Sequence, residues 1–172
     1  MMKTAVRGLL AVLAVLFTGV ALHTGVAAFA GGDTMFAGSR PADLGFHAGR
    51  LAAPKPTPNC VSSQADASDV QHYVAPIRYA GSGAAAMEAL RTVVAGMPGS
   101  RIIRRQPDYL YAEFRTKLLG FVDDVEFGLS EKDGLIHVRS ASRLGRRDFG
   151  VNRGRVEAVR ARFAAAQVAA RP

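Results

Sequence analysis

At 172 residues with 49% apolar content, the chain is long enough for one domain with a real core and too short for two comfortable ones. A net charge of +8 and a pI near 10.4 raise the question of an anionic partner, but the surplus is local: eight arginines between Arg139 and Arg162 stand against Asp148 and Glu157. Nucleic-acid binding calls for cations interleaved with stacking aromatics on one surface, and arginines spread over a loop and a helix in a chain without Trp argue against it; the single Cys60 excludes an intrachain disulfide and a Cys-rich zinc site.

Residues 1–30 open with Lys3 and Arg7 and no acid, continue as an apolar run from Gly8 to Leu22, and end in a second apolar run closed by Ala28-Phe29-Ala30. A positive start, an apolar centre and a small-x-small end describe a secretory signal peptide cleaved after about Ala30. The same span is long enough to remain as a single-span anchor. Both readings put the rest of the chain on the far side of a membrane, which in a bacterial cell envelope is the periplasmic side.

From 31 to 58 the sequence is rich in Gly, Ala and Pro, with Pro54, Pro56 and Pro58 at alternate positions and no sustained period, so it reads as an irregular tether to a domain over 59–168. Cys60 follows, beside Ser62 and Ser63. It invites a nucleophile reading with His72 or His137 as base; the plainer reading is a small apolar plug where the loop tucks against a sheet.

Pro76–Ala80 reads as a short strand, with Ser82 placed to cap a helix over Ala84–Ala95 whose stripe is Met87, Leu90 and Val94, ended by Gly96 and Pro98. Arg101–Arg105 is a second strand. Tyr109–Lys117 alternates cleanly: Leu110, Ala112, Phe114 and Thr116 on one face, Tyr109, Tyr111, Glu113, Arg115 and Lys117 on a face open to water or ligand.

Phe121–Leu129 also alternates, and Asp133-Gly134 signals a two-residue hairpin turn. That turn pairs Lys132 with Leu135 and, further along, Leu129 with Val138 and Asp124 with Arg143, with Glu126 diagonal to Arg139 and Arg143. The second face therefore carries a lattice of Asp124, Glu126, Arg139 and Arg143 with His137 near its end. Asp124, Glu126 and His137 could instead form a metal-dependent site, although Asp123 and Asp124, adjacent in a strand, point to opposite faces. Asp123 falls on the core face with Ser140 and Ser142, where a charge needs a partner: Ser142, loop amides or an arginine from 144–153.

The polar stretch Arg143–Asn152 leads into a last helix with the stripe Val156, Val159, Phe163 and Ala166, capped by Asp148 or Asn152. Arginines beside free amides at a helix start can hold an anion, here Arg139, Arg143, Arg146, Arg147, Asn152 and Arg153. The competing reading is that Asp148 caps the helix and the arginines pair with Asp123, Asp124 and Glu126.

Four blocks stand in a distinctive order and spacing: Pro58-Asn59-Cys60-Val61-Ser62-Ser63, the run Gly120–Phe127, Arg139-Ser140-Ala141-Ser142-Arg143 and Asp148-Phe149-Gly150-Val151-Asn152-Arg153. Together they resemble the domain of unknown function 1499 family of bacterial envelope and plastid proteins, over roughly 37–163. Many of that family carry a further Cys before the Asn-Cys block; here the region reads Ala53-Pro54-Lys55-Pro56, so a Cys pair is not essential in this chain. The resemblance implies a domain following an N-terminal membrane or export segment, and transfers no catalytic residue.

The expected fold is α+β: one antiparallel sheet in the order β-α-β-β-β-β-α with both helices on one face. The expected function is binding of a small anionic ligand, lipid headgroup or envelope protein through the arginine-rich loop and the exposed sheet face. The alternatives are a hydrolase (Cys60, or a metal held by Asp124, Glu126 and His137) and a purely structural envelope component. No cofactor is named by these residues.

Overall fold

A computed structural model describes residues 36–169; the expected signal or anchor segment, 1–30, lies outside the described residues. Among those described, no helix is long and apolar enough to cross a membrane. The elements are β1 (Cys60–Ser62), β2 (Ile77–Arg78), α1 (Gly83–Ala95), β3 (Ser100–Arg105), β4 (Tyr109–Arg115), β5 (Val122–Ser130), β6 (Leu135–Ser142) and α2 (Val151–Ala169). They form one antiparallel sheet in the order β1-β6-β5-β4-β3, with β2 sharing the outer edge of β6 with β1. The fold is the expected α+β arrangement with one short strand more: Cys60–Ser62 pairs with Arg139–Ala141 rather than lying against the sheet as a loop.

Both helices cover one face. The stripe Met87, Leu90 and Val94 of α1 and the stripe Val156, Val159 and Phe163 of α2 pack on Leu110, Ala112, Phe114, Val125, Phe127 and Val138. Ser82 Oγ accepts from the amide of Ala85 at 3.2 Å, and the amide of Gly96 closes α1 on the carbonyl of Thr92 at 3.1 Å.

The β5–β6 hairpin corrects the sequence-based register by two residues. Asp133-Gly134 is not a two-residue turn. Glu131–Asp133 form one turn of 3₁₀ helix and Gly134, at φ 64°, closes it in the left-handed region. Ser130 Oγ donates to Asp133 Oδ2 at 2.6 Å and fixes the four-residue loop. The pairs are therefore Ser130 with Leu135, Phe127 with Val138, Glu126 with Arg139 and Asp124 with Ala141. A shift of two leaves every side chain on its expected face, because the strand period is two.

The second face is corrected as well: it is covered, not exposed. Residues 37–51, expected as tether, run across it as a strap. Leu44, Phe46 and Leu51 pack on Tyr109 and Tyr111, and Arg40 reaches Glu113. The strap turns back at Ala48-Gly49, both with positive φ, as a type I′ turn demands; His47 and Arg50 exchange backbone hydrogen bonds at 2.9 and 3.0 Å. Gly128 lies directly beneath the Phe46 ring, where an added Cβ would fall 2.3 Å from the ring carbons. Gly128→Ala should therefore destabilise the fold by about 1–3 kcal/mol. A thermal-melt double-mutant cycle with Phe46→Ala should recover part of the loss; strict additivity would mean the ring is not what the methyl strikes.

Candidate functional site

Three places hold the residues that the sequence singles out. The first is the polar lattice beneath the strap. Glu126, with no exposed surface, accepts from Arg139 Nη1 at 3.1 Å, Tyr109 OH at 2.8 Å and the amide of Gly45 at 2.8 Å. Burial pushes its carboxyl up, against these three donors. Arg143 sits over Asp124, with Nε 3.1 and 3.0 Å from the two carboxylate oxygens, and its Nη2 donates to Glu113 Oε1 at 2.5 Å. The Tyr111 hydroxyl donates to Asp124 Oδ1 at 2.6 Å and accepts from Arg143 Nη2 at 3.1 Å. Burial pushes both phenols upward, so both stay protonated donors. The four expected members lie on this face as two ion pairs, with Tyr109 joining Glu126 and Arg139, and Glu113, Tyr111 and Arg40 joining Asp124 and Arg143. Alternation already put Glu113 and the tyrosines on this face; the missing signal was that the strap would bury it.

The second place is a polar pin on the helix face. Asn152, fully buried in the first turn of α2, donates from Nδ2 to the carbonyl of Asn59 at 3.0 Å, to Ser142 Oγ at 2.9 Å and to Asp148 Oδ2 at 2.8 Å. Its Oδ1 accepts from Ser140 Oγ at 2.5 Å. Asp148 also accepts from the Asn152 amide at 2.7 Å, so Asp148 caps the helix and Asn152 lies inside it. Asp123 is paired by Arg155 Nη2 at 2.5 Å, an arginine of α2 just beyond the expected segment, which also stacks over the Phe114 ring. The four blocks behind the family resemblance thus meet in two buried networks.

The catalytic candidates are not assembled. Cys60 is fully buried, its sulfur contact is to the carbonyl of Val61 at 4.0 Å, and burial pushes its thiol up. His72 is held by Asp69 and the carbonyl of Thr57. His137 lies opposite Gly128 with its Nδ1 3.3 Å from Ser63 Oγ, and burial pushes its imidazole below the ordinary value. Among the described residues, no three His, Cys, Asp or Glu side chains gather as a metal site.

The third place is the sheet end where the 116–121 and 143–150 loops meet. The six residues proposed for anion binding do not converge on it. Arg139 and Arg143 are consumed in the lattice, and Arg153 donates to the carbonyls of Tyr73, Val70 and Gln71. Arg146 and Arg147 remain exposed at this end. Between the loops lies a cavity of about 320 Å³ whose lining is apolar at Phe121, Leu144, Phe149 and Val151 and charged at Arg147, Asp123 and Asp148.

Arg143→Ala leaves Asp124 and Glu113 buried without their shared cation, and should cost about 3–5 kcal/mol in chemical denaturation, against within about 0.5 kcal/mol for Arg146→Ala. Glu113 supplies a pH signature. Burial raises its carboxyl, but hydrogen bonds from Arg40 and Arg143 outweigh this and hold it down at about 2, against an ordinary 4.5. A depressed acid contributes stability above its unfolded value that is lost as pH falls through its folded value. The melting temperature should therefore fall as the pH is lowered from about 4.5 to about 2. Glu113→Gln, already weaker at neutral pH, should lose less over the same interval.

No curated protein and no solved structure matches this chain. A family model does, over residues 50–163, and its description is a protein of unknown function (DUF1499). Those residues include β1, the whole hairpin, the arginine loop and most of α2, and hold nearly all of both networks. The chain belongs to the DUF1499 family.

Proposed function

We propose that this chain is an exported or membrane-anchored domain, on the periplasmic side of a bacterial envelope, that binds a small anionic amphiphile at the arginine-bearing end of its sheet. The N-terminal segment supplies export or anchorage. The observation that carries the binding reading is the cavity between the 116–121 and 143–150 loops: Phe121, Leu144, Phe149 and Val151 offer an apolar wall and Arg147 a cation, while the two acids of its lining, Asp123 and Asp148, are already taken up by Arg155 and by the start of α2. Apolar concavities with one or two convergent polar groups are where small ligands bind. A hydrocarbon portion fits the wall, and an acidic head, carboxylate or phosphate, fits the guanidinium.

A second reading, a structural envelope component, draws on the consumption of Arg139, Arg143 and Arg153 by partners within the chain. One experiment separates the two. Native mass spectrometry of the full chain released from detergent should show a co-purified anionic adduct. Arg146→Ala combined with Arg147→Ala should lose it while the thermal midpoint holds. A bare mass for both proteins would sink the ligand reading and leave the structural one.

A further inference from the structure

We infer that this same sheet end docks on an anionic lipid bilayer surface, inserting Phe149 and Leu118 among the headgroups, whether or not the cavity is occupied. Three observations converge. First, apolar side chains face solvent on the two loops that meet here: Phe149 is 95% exposed and Leu118 92%, with Leu119 and Val151, close to them in sequence, half-exposed. An exposed apolar cluster ringed by polar groups marks an interaction surface. Phe149 also sits at φ 55°, a conformation that glycine or asparagine takes easily and a bulky side chain does not. Nothing in the fold is gained from that ring, which is held out in solvent at a conformational cost, as residues kept for contact with a partner are.

Second, the charge matches. Lys117, Arg146 and Arg147 are exposed around the cluster, and the one acid of the two loops, Asp148, is taken up by the α2 cap. The opposite end of the same strands carries Arg104, Arg105 and Lys132 against Asp108, Glu131 and Asp133, and has no such excess. A basic rim around apolar tips is the composition that holds a surface to anionic lipid.

Third, the described chain enters the domain at this end. Phe36 stacks on Phe121 with ring centroids 5.0 Å apart, and Gly38 lies against Leu144. Six peptide steps separate Ala30 from Phe36, at most about 20 Å of chain. If residues 1–30 anchor the protein, that tether keeps these loops, and not the Glu131–Asp133 turn, within reach of the bilayer. This favours a lipid surface over a protein partner of similar acidity.

The absence of tryptophan makes the test direct. Phe149→Trp and Lys132→Trp, each a sole Trp at one end of the sheet, are reconstituted as full chains into vesicles of phosphatidylcholine with or without phosphatidylglycerol. The Phe149→Trp emission should shift blue and be quenched by brominated acyl chains only when phosphatidylglycerol is present; Lys132→Trp should do neither. Adding Arg146→Glu and Arg147→Glu to Phe149→Trp should cut the quenching at least about fivefold. Phe149→Gly, which relieves the backbone, reports on folding and should melt no lower than wild type. Solvent-like emission from Phe149→Trp in both vesicle types overturns the docking, as does equal quenching at both ends. Neither result removes an adduct seen by mass spectrometry, so the docking and the ligand reading fail separately.

Discussion

Arg143 holds its guanidinium between Asp124 and Glu113, two carboxylates the fold has removed from water on neighbouring strands. Directly opposed acids on β4 and β5 would repel, and each would carry the desolvation cost of a buried ion. One planar, always-charged group with five donors grips Asp124 through Nε and Nη2 while reaching Glu113, a fixed fork that an ammonium with three donors on one atom does not offer. Around it the Tyr111 hydroxyl and Arg40 complete the coordination of the same oxygens. The rest of the second face depends on this arrangement, since a strap could not be laid over unpaired charge.

Such networks are all-or-nothing devices. Satisfied, they fix relative position more sharply than apolar packing, because hydrogen bonds have direction. The Asn152 pin shows this in small compass. One amide side chain ties the start of α2 to the chain before β1 and to the last residue of β6, and so sets where the 143–150 loop must run. The exposed end of the sheet owes its shape to these buried contacts, and its chemistry to the arginines they leave over.

Much of this was legible in the sequence because it follows from period and sign. Alternation placed Leu110, Ala112 and Phe114 toward the helices and Asp124 with Glu126 on the other face. The α1 and α2 stripes and the Ser82 cap obey local rules. The register was misread because Asp133-Gly134 satisfies a two-residue turn as well as the end of a 3₁₀ turn, and only the Ser130–Asp133 hydrogen bond decides between them. The covered face was illegible for a different reason. The strap has no period; it is held by single contacts such as Gly45 on Glu126 and Phe46 on Gly128, and nothing local foretells a partner eighty residues away. Pairing of Arg139 and Arg143 with the acids is one of the two alternatives their sequence allows, whereas Arg155 lies just past the 144–153 loop, inside the helix.

The contact between Gly45 and Glu126 spans 81 positions, and its consequence is temporal. A chain is made from its N-terminus, so the strap exists long before the surface it covers. Glu126 and Arg139 must be synthesised, and their hairpin closed, before residues 37–51 have anywhere to rest. The first part of this domain to be made thus cannot settle until the hairpin it covers has closed.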